Sequence, residues 1–306
     1  MLRLLQSSQP VAWGIVPLTS ALLFALGGWM AFQGGAAVEV PWSAWLAVLV
    51  SARWIHRMYL ESGMRTRPGM VPSWAWVLAA TPMLWTTPNS WWWGMALLWV
   101  SVGQGLRLRL GEPRPDLHFW LGVPAGLAPM LAPELAAWCL VLGGVLFVWR
   151  TPKASEALMW ALGMATPWWI RGGVTWWATG SVAMDAMPWS ECAVNLSPMV
   201  WALAPMAAVG WVWRQQSLIR ATARQRVVRK WTQWPGLLTA VIGVVATGVG
   251  LDHCSGQALR LTGSACVVTW TLAWCFPPGW KGTKIMPWLA LALSSVATLG
   301  PAIPGL

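Results

Sequence analysis

Long apolar runs separated by short polar gaps recur along this whole chain. A helix that crosses the hydrocarbon core of a bilayer needs about 20 mostly apolar residues. Only 9% of the 306 residues are charged, whereas a soluble domain usually carries about 25%. So few charges cannot cover a water-facing surface of this size. The sequence therefore predicts an all-α, polytopic transmembrane helix bundle, with residues 1–306 forming a single integral membrane domain.

We predict about eleven spans, each 15–22 residues long. They are Val11–Phe32, Pro41–Tyr59, Met70–Trp85, Ser90–Leu106, Leu117–Leu131, Pro133–Trp149, Ala157–Trp177, Leu196–Trp213, Pro235–Leu251, Ala258–Phe276 and Ile285–Leu299. Whether the third to sixth cross completely is an open question, because Pro124 and Pro133 can kink or break their helices. No small-residue cleavage site follows the first apolar core, so we expect it to be retained rather than removed as a signal peptide.

Basic residues predict the orientation of the chain. Eighteen of the 20 Lys and Arg lie before the first span, or in or beside the loops that follow even-numbered spans, and Arg171 and Arg260 are the exceptions. The positive-inside rule then places the N-terminus in the cytoplasm and the C-terminus outside. In a bacterium we expect a multi-pass protein of the cell inner membrane. The net charge of +11 does not indicate nucleic acid binding, because the basic residues lie in short loops that set topology.

The longest polar segment covers residues 214–233. It is predicted to be a basic cytoplasmic loop, and it could form an amphipathic helix with a rough apolar face. Such a helix would lie along anionic lipid headgroups. The alternatives are a docking site for an acidic partner and an ordinary topology-setting loop. The residues of the apolar face are Leu218, Ile219, Val227, Val228 and Trp231.

Aromatic usage is strongly skewed, with 30 Trp against 5 Phe and 1 Tyr. One interpretation is a set of aromatic binding platforms. The simpler interpretation is that Trp replaces Phe and Tyr as lipid-facing bulk and as the interfacial belt. We favour the simpler interpretation.

Arg171 stands between two Trp pairs in the segment TPWWIRGGVTWW. It lies about 21 Å from the predicted start of its span at 1.5 Å per residue, in a core of about 30 Å. Its guanidinium could snorkel to the outer headgroups as an anchor. It could instead stack on Trp168 or Trp176 and contact a ligand or an anionic lipid phosphate. Gly172 and Gly173 follow directly and could loosen the helix.

Few other residues suggest chemistry. The near absence of ionisable groups within the spans argues against an ion-coupled transporter. Cys192 and Cys254 lie on the same predicted outer side and could form a disulfide in an oxidising compartment. The remaining cysteines, Cys139, Cys266 and Cys275, are expected to be packing residues.

Asp252, His253 and Cys254 could form a metal site, with Asp185 and Glu191 as further ligands. The residue types are acceptable, but neither CxxC nor HExxH spacing occurs. We therefore expect no metal and no cofactor.

Three segments carry a resemblance to a known family. They are LLQSSQPVAWGIVPL, ESGMRTRPGMVPSWAWVLAATPM and LRLRLGEPRPDLHFWLGVPAGLAPMLAPELAAWCLVLGGVLFVWRTPKASEALMWALGMATPWWI. They resemble an uncharacterised family of polytopic inner-membrane proteins of Bacteroidetes type, a domain of unknown function of about the length of this chain. The resemblance implies a helical membrane fold and an inner-membrane location. It implies no activity and no catalytic residue.

Three functions follow as hypotheses. The first is a non-enzymatic scaffold or accessory subunit of an envelope assembly, in contact with the lipid bilayer, with anionic headgroups at its basic loops and with a membrane-protein partner. The second is an enzyme resembling the glycosyltransferases that use polyprenyl-linked sugars, with Glu39 as its one candidate catalytic acid. The third is a carrier for a lipid or amphipathic solute, with Arg171 holding an anionic head.

Overall fold

The computed structural model describes residues 10–33, 40–61, 70–85, 87–110, 115–149 and 153–181, together with Val267, Val268 and Thr271. Within these residues every element is helical and no strand occurs. The helices are α1 (Pro10–Gln33), α2 (Trp42–Glu61), α3 (Val71–Ala80), α4 (Asn89–Leu110), α5 (Pro115–Leu131), α6 (Ala136–Trp149) and α7 (Ala154–Thr179). A 3₁₀ helix, Thr81–Trp85, extends α3, and a second one, Pro133–Leu135, precedes α6.

The helices coincide with the first seven predicted apolar runs to within a few residues, so the all-α class is confirmed for this part of the chain. Spans eight to eleven lie outside the described residues, except that Val267, Val268 and Thr271 of the tenth are helical and buried. Taken singly, none of the described helices has both the length and the hydropathy expected of a membrane crossing.

The described helices are continuous at Pro124, Gly172 and Gly173, where a kink or a loosened turn was expected. Helix α5 runs without interruption through Pro124. The chain breaks instead at Ala132, which is extended with φ −152° and ψ 106° just before Pro133. Helix α7 passes Gly172 and Gly173 without loosening and ends at Gly180, whose φ of 69° is the left-handed conformation that commonly terminates helices.

Helices α1 and α2 run antiparallel, and large side chains bridge them. The Trp13 ring near the start of α1 meets the ring of His56 near the end of α2, with 5.0 Å between centroids. Further along, the Trp45 indole N–H donates to the Ser20 hydroxyl at 2.9 Å. The two backbones stay apart along most of their length, and α1 packs instead on α3 and on the 3₁₀ helix that extends it.

Helix α3 lies at the centre of the described bundle, and all ten of its residues are buried. Polar groups buried in this way are costly unless they are hydrogen-bonded. The Ser73 hydroxyl donates to the Ala52 carbonyl at 2.7 Å, and the Trp76 indole N–H donates to the Val48 carbonyl at 3.1 Å. These bonds fix α3 against α2, and apolar side chains surround it elsewhere.

Helices α5 and α7 approach each other at the level of their backbones. A Cβ atom at Gly126 would overlap the Met164 carbonyl, and one at Gly122 would overlap the Trp160 carbonyl. On the other helix, a Cβ at Gly163 would overlap the Phe119 carbonyl. Gly122 and Gly126 have the GxxxG spacing that allows helices to pack closely. The absence of side chains at these three positions therefore sets the α5–α7 distance.

Replacing Gly126 by Ala should push α5 and α7 apart. Overpacking of this kind costs about 1–3 kcal/mol of stability, so we expect a lower Tm for thermal unfolding of the purified protein. Gly173→Ala is the matched control on α7, because a Cβ there meets nothing within 4 Å. That change should leave Tm unchanged or slightly raised, since Ala favours the helix. Equal losses of Tm in both variants would contradict the packing described.

Candidate functional site

A cleft of about 330 Å³ opens between the second half of α1 and the start of α2. Its volume falls in the range of about 300–1,000 Å³ that is usual for small-molecule sites. The wall is apolar and largely aromatic. The lining residues are Phe24, Ala25, Gly28, Phe32, Val40, Trp42 and Trp85.

Phe24 organises the aromatic wall of the cleft. Its ring lies 5.2 Å from that of Trp42, 5.6 Å from that of Trp45 and 5.1 Å from that of Trp85, measured between centroids. Aromatic pairs at these distances contribute about 0.5–1.5 kcal/mol beyond their buried area. Phe24 therefore joins α1, α2 and the 3₁₀ helix after α3 into one wall.

Two glycines position the Trp85 indole. A Cβ atom at Gly27 would overlap the pyrrole edge of this ring, and one at Gly28 would lie 3.1 Å from its benzene edge. The ring thus lies flat on bare helix backbone. Larger residues at Gly27 and Gly28 would push Trp85 away from Phe24 and change the shape of the cleft.

A short polar chain holds the wall from behind. The Trp45 indole N–H donates to the Ser20 hydroxyl at 2.9 Å, and the Ser20 and Thr81 hydroxyls lie 3.5 Å apart. The Thr81 hydroxyl in turn donates to the Val77 carbonyl at 2.7 Å. These contacts orient the Trp45 side chain and anchor the end of α3. They therefore hold this aromatic wall of the cleft in place.

The other end of the α1–α2 pair carries positive charge. The Arg53 guanidinium lies 4.1 Å from the centroid of the Trp13 ring, a cation–π contact. Arg57, one turn further on, pairs with Glu61 at 2.7 Å on the exposed surface, where such a pair contributes little stability. Among the described residues no carboxylate pairs with Arg53. Arg53 therefore presents an exposed cation in a fixed position.

The structure places the three α7 residues that the sequence singled out. Arg171 is half-buried, Trp168 is half-buried, and Trp176 is exposed. In the described part of the chain, the guanidinium–ring contacts are those of Arg53 and Arg57, and Arg171 stacks on neither indole. A ligand or lipid contact of Arg171 therefore stays a prediction.

Other predicted site residues lie outside the described residues, namely Glu39, Cys192, Cys254 and the basic loop 214–233. Cys139 is buried in α6, and its thiol donates to the Ala125 carbonyl at 2.7 Å, which confirms it as a packing residue. Over the described ranges, no three His, Cys, Asp or Glu side chains are grouped to hold a metal ion.

The sequence alone missed the aromatic cleft and the Arg53–Trp13 contact. It also missed the burial of four ionisable side chains: His56, His118, Glu134 and Glu156. The Glu156 carboxylate accepts the Lys153 N–H at 3.2 Å and caps the start of α7, a role that its position three residues after Lys153 could have indicated. The cleft had no comparable local signal, because its residues meet only in the folded chain.

Comparison with family models, curated proteins and solved structures finds no match to this chain. The family resemblance given above stays a prediction.

Gly27→Val should displace Trp85 and narrow the aromatic cleft. The added side chain overlaps the indole, with an overpacking cost of about 1–3 kcal/mol. We expect weaker binding of a fluorescent fatty acid, measured by titration of the purified protein. Gly14→Val on the same helix is the matched control, since a Cβ there meets nothing within 4 Å. The account of the cleft is wrong if both variants bind the probe as the unmodified protein does.

Proposed function

We propose that this chain is a multi-pass protein of the cell inner membrane and serves as a scaffold or accessory subunit of an envelope assembly. The strongest support is the exposure of apolar side chains on the second half of α7. Five large apolar side chains there are between 58% and 86% exposed. They are Trp169, Ile170, Val174, Trp176 and Trp177.

A contiguous apolar surface of this kind is rare on a soluble monomer and indicates contact with a membrane or another protein. Helices α1 and α2 add exposed apolar residues, including Leu18, Leu22 and Leu46. Hydrocarbon can cover such surfaces without cost. Membrane insertion is therefore the environment that best fits the exposed faces of these three helices.

The distribution of charge supports the proposed orientation. Arg53, Arg57 and Glu61 lie in the second half of α2, and Lys153 precedes α7. Because α1 and α2 are antiparallel, the start of α1 lies at this same end. The positive-inside rule assigns that end to the cytoplasm.

Rigid packing and an aromatic outer face support the scaffold role. The largest fully buried side chains include Trp74, Trp76 and Trp99, which fill the interior around α3. The exposed α7 face is rich in Trp, a residue that is enriched at protein interfaces. A tightly packed bundle with such an exposed aromatic face is suited to binding a partner helix.

The carrier hypothesis is the second candidate, and the aromatic cleft favours it. A cleft of about 330 Å³ lined by Phe24, Trp42 and Trp85 suits an apolar chain of an amphipathic solute. The glycosyltransferase hypothesis depends on Glu39, which lies outside the described residues.

Cysteine labelling tests the proposed orientation. In a variant with all five native cysteines replaced, Ser181→Cys should react with a membrane-impermeant maleimide on intact spheroplasts, because Ser181 is exposed directly after α7. Glu61→Cys should react only after the membrane is permeabilised, because it lies at the cytoplasmic end. The reverse pattern would overturn the orientation. Loss of the protein from membranes during carbonate extraction would overturn membrane insertion itself.

Co-purification in mild detergent tests the scaffold role. We expect a defined partner in a constant ratio, and Trp177→Ala should reduce its recovery severalfold because interface Trp residues are often hot spots. Trp29→Ala on α1 is the control, since Trp29 is also exposed but lies on a different helix. A protein that purifies with lipid alone would contradict the scaffold proposal.

A further inference from the structure

Gly173 lies at the centre of an exposed apolar patch on α7. Residues three and four positions before and after it lie on the same helix face. All four carry large apolar side chains that are more than half exposed, namely Trp169, Ile170, Trp176 and Trp177. A Cβ atom at Gly173 would meet nothing within 4 Å. The α7 patch is therefore bare helix backbone surrounded by large apolar side chains.

The described part of the chain gives no packing reason for glycine at position 173. Glycine within a helix is destabilising relative to alanine. Gly126 and Gly143 each lie against a close neighbour, the Met164 carbonyl and the Trp160 ring respectively. Gly173 lacks such a neighbour among the described residues. A contact with another molecule would supply one.

The α7 patch contains both parts of a contact that this protein makes internally. The Trp85 ring lies on Gly27, and the Trp160 ring lies on Gly143. At Gly173 an open glycine has exposed indoles one turn away on either side. A two-fold interface requires a surface that complements itself. The patch meets this requirement because one copy can offer the indole and the other the glycine.

Charge is also compatible with a second copy. Arg171 is the one charged residue between Leu158 and Thr179. At 3.6 residues per turn it lies on nearly the opposite side of α7 from Gly173. The patch can therefore meet an identical patch without burying a charge.

The area of the patch reaches that of a specific interface. Its three indoles expose on the order of 500 Å² in total, taking about 250 Å² for a whole Trp side chain. Two copies would then bury about 1,000 Å², the size at which a specific interface begins. The remaining exposed area at Ile170 and at the Gly173 backbone adds to this value.

We propose that the α7 patch binds a second copy of this chain and forms a parallel two-fold dimer. Copies inserted in one orientation have parallel α7 helices, and these cross at Gly173, where the missing Cβ allows close approach. Val174 lies about 100° around the helix from Gly173, on the side that faces lipid. The dimer rests on the scaffold role proposed above and names the partner of the exposed α7 face.

The test measures dimer dissociation of the full chain in vesicles. In the variant without native cysteines, Ser181→Cys carries a donor fluorophore on some copies and an acceptor on others. Energy transfer at increasing lipid-to-protein ratios gives the apparent dissociation constant. Gly173→Leu should raise this constant about fivefold or more, because its side chain fills the crossing point. Trp177→Ala should also raise it, since interface Trp residues are often hot spots.

Gly14→Leu is the matched control. A Cβ at Gly14 also meets nothing within 4 Å, but no Trp lies three or four residues from it. This change should leave the dissociation constant unaltered. Tm measured in excess detergent, where the copies are separate, should be the same for Gly173→Leu as for the unmodified protein, which shows that the fold is intact.

Energy transfer no higher than random collisions produce, or an unchanged constant in both α7 variants, would overturn the dimer. If a different protein then co-purifies in a constant ratio, the scaffold role stands and the second-copy inference alone is wrong. Carbonate extraction of the same membranes reports separately on membrane insertion.

Discussion

The enclosure of α3 is the constraint on which the rest of the described bundle depends. A helix buried on all sides must satisfy its polar side chains within the protein and must meet apolar surface everywhere else. Ser73 and Trp76 do so through backbone carbonyls of α2, and the Trp74 indole donates to the Thr19 hydroxyl of α1 at 3.4 Å. These bonds fix both neighbours relative to α3. The positions of α1 and α2, and hence the aromatic cleft between them, follow from the burial of α3.

Pairing of indole rings with glycines recurs around this centre. Trp85 lies on Gly27 and Gly28 of α1. A Cβ at Gly103 of α4 would lie 2.9 Å from the Trp54 indole nitrogen. The Trp160 ring likewise lies on Gly143 of α6. Close packing requires a small residue opposite each large one. A chain that uses Trp for most of its aromatic bulk therefore needs glycine within its helices, despite the cost to helix stability.

The positions of the helices could be predicted from the sequence, because an apolar run is a local property. Helix α4, for example, begins one residue before the predicted Ser90 and extends four residues beyond Leu106. The partners of each helix could not be predicted in the same way. Nothing near Gly126 in the sequence indicates that Met164 will lie against it. The cleft was missed for this reason, since Phe24, Trp42 and Trp85 come from three separate elements.

We propose that the exposed apolar faces of α1, α2 and α7 contact lipid. Nitroxide labels at Leu46→Cys on α2 and Val174→Cys on α7 test it directly, with Glu61→Cys as the water-exposed reference. In reconstituted vesicles, electron paramagnetic resonance measures collisions of each label with oxygen and with a water-soluble nickel chelate. Labels at positions 46 and 174 should collide mainly with oxygen, and the label at position 61 mainly with the nickel chelate. High nickel accessibility at positions 46 and 174 would contradict the account.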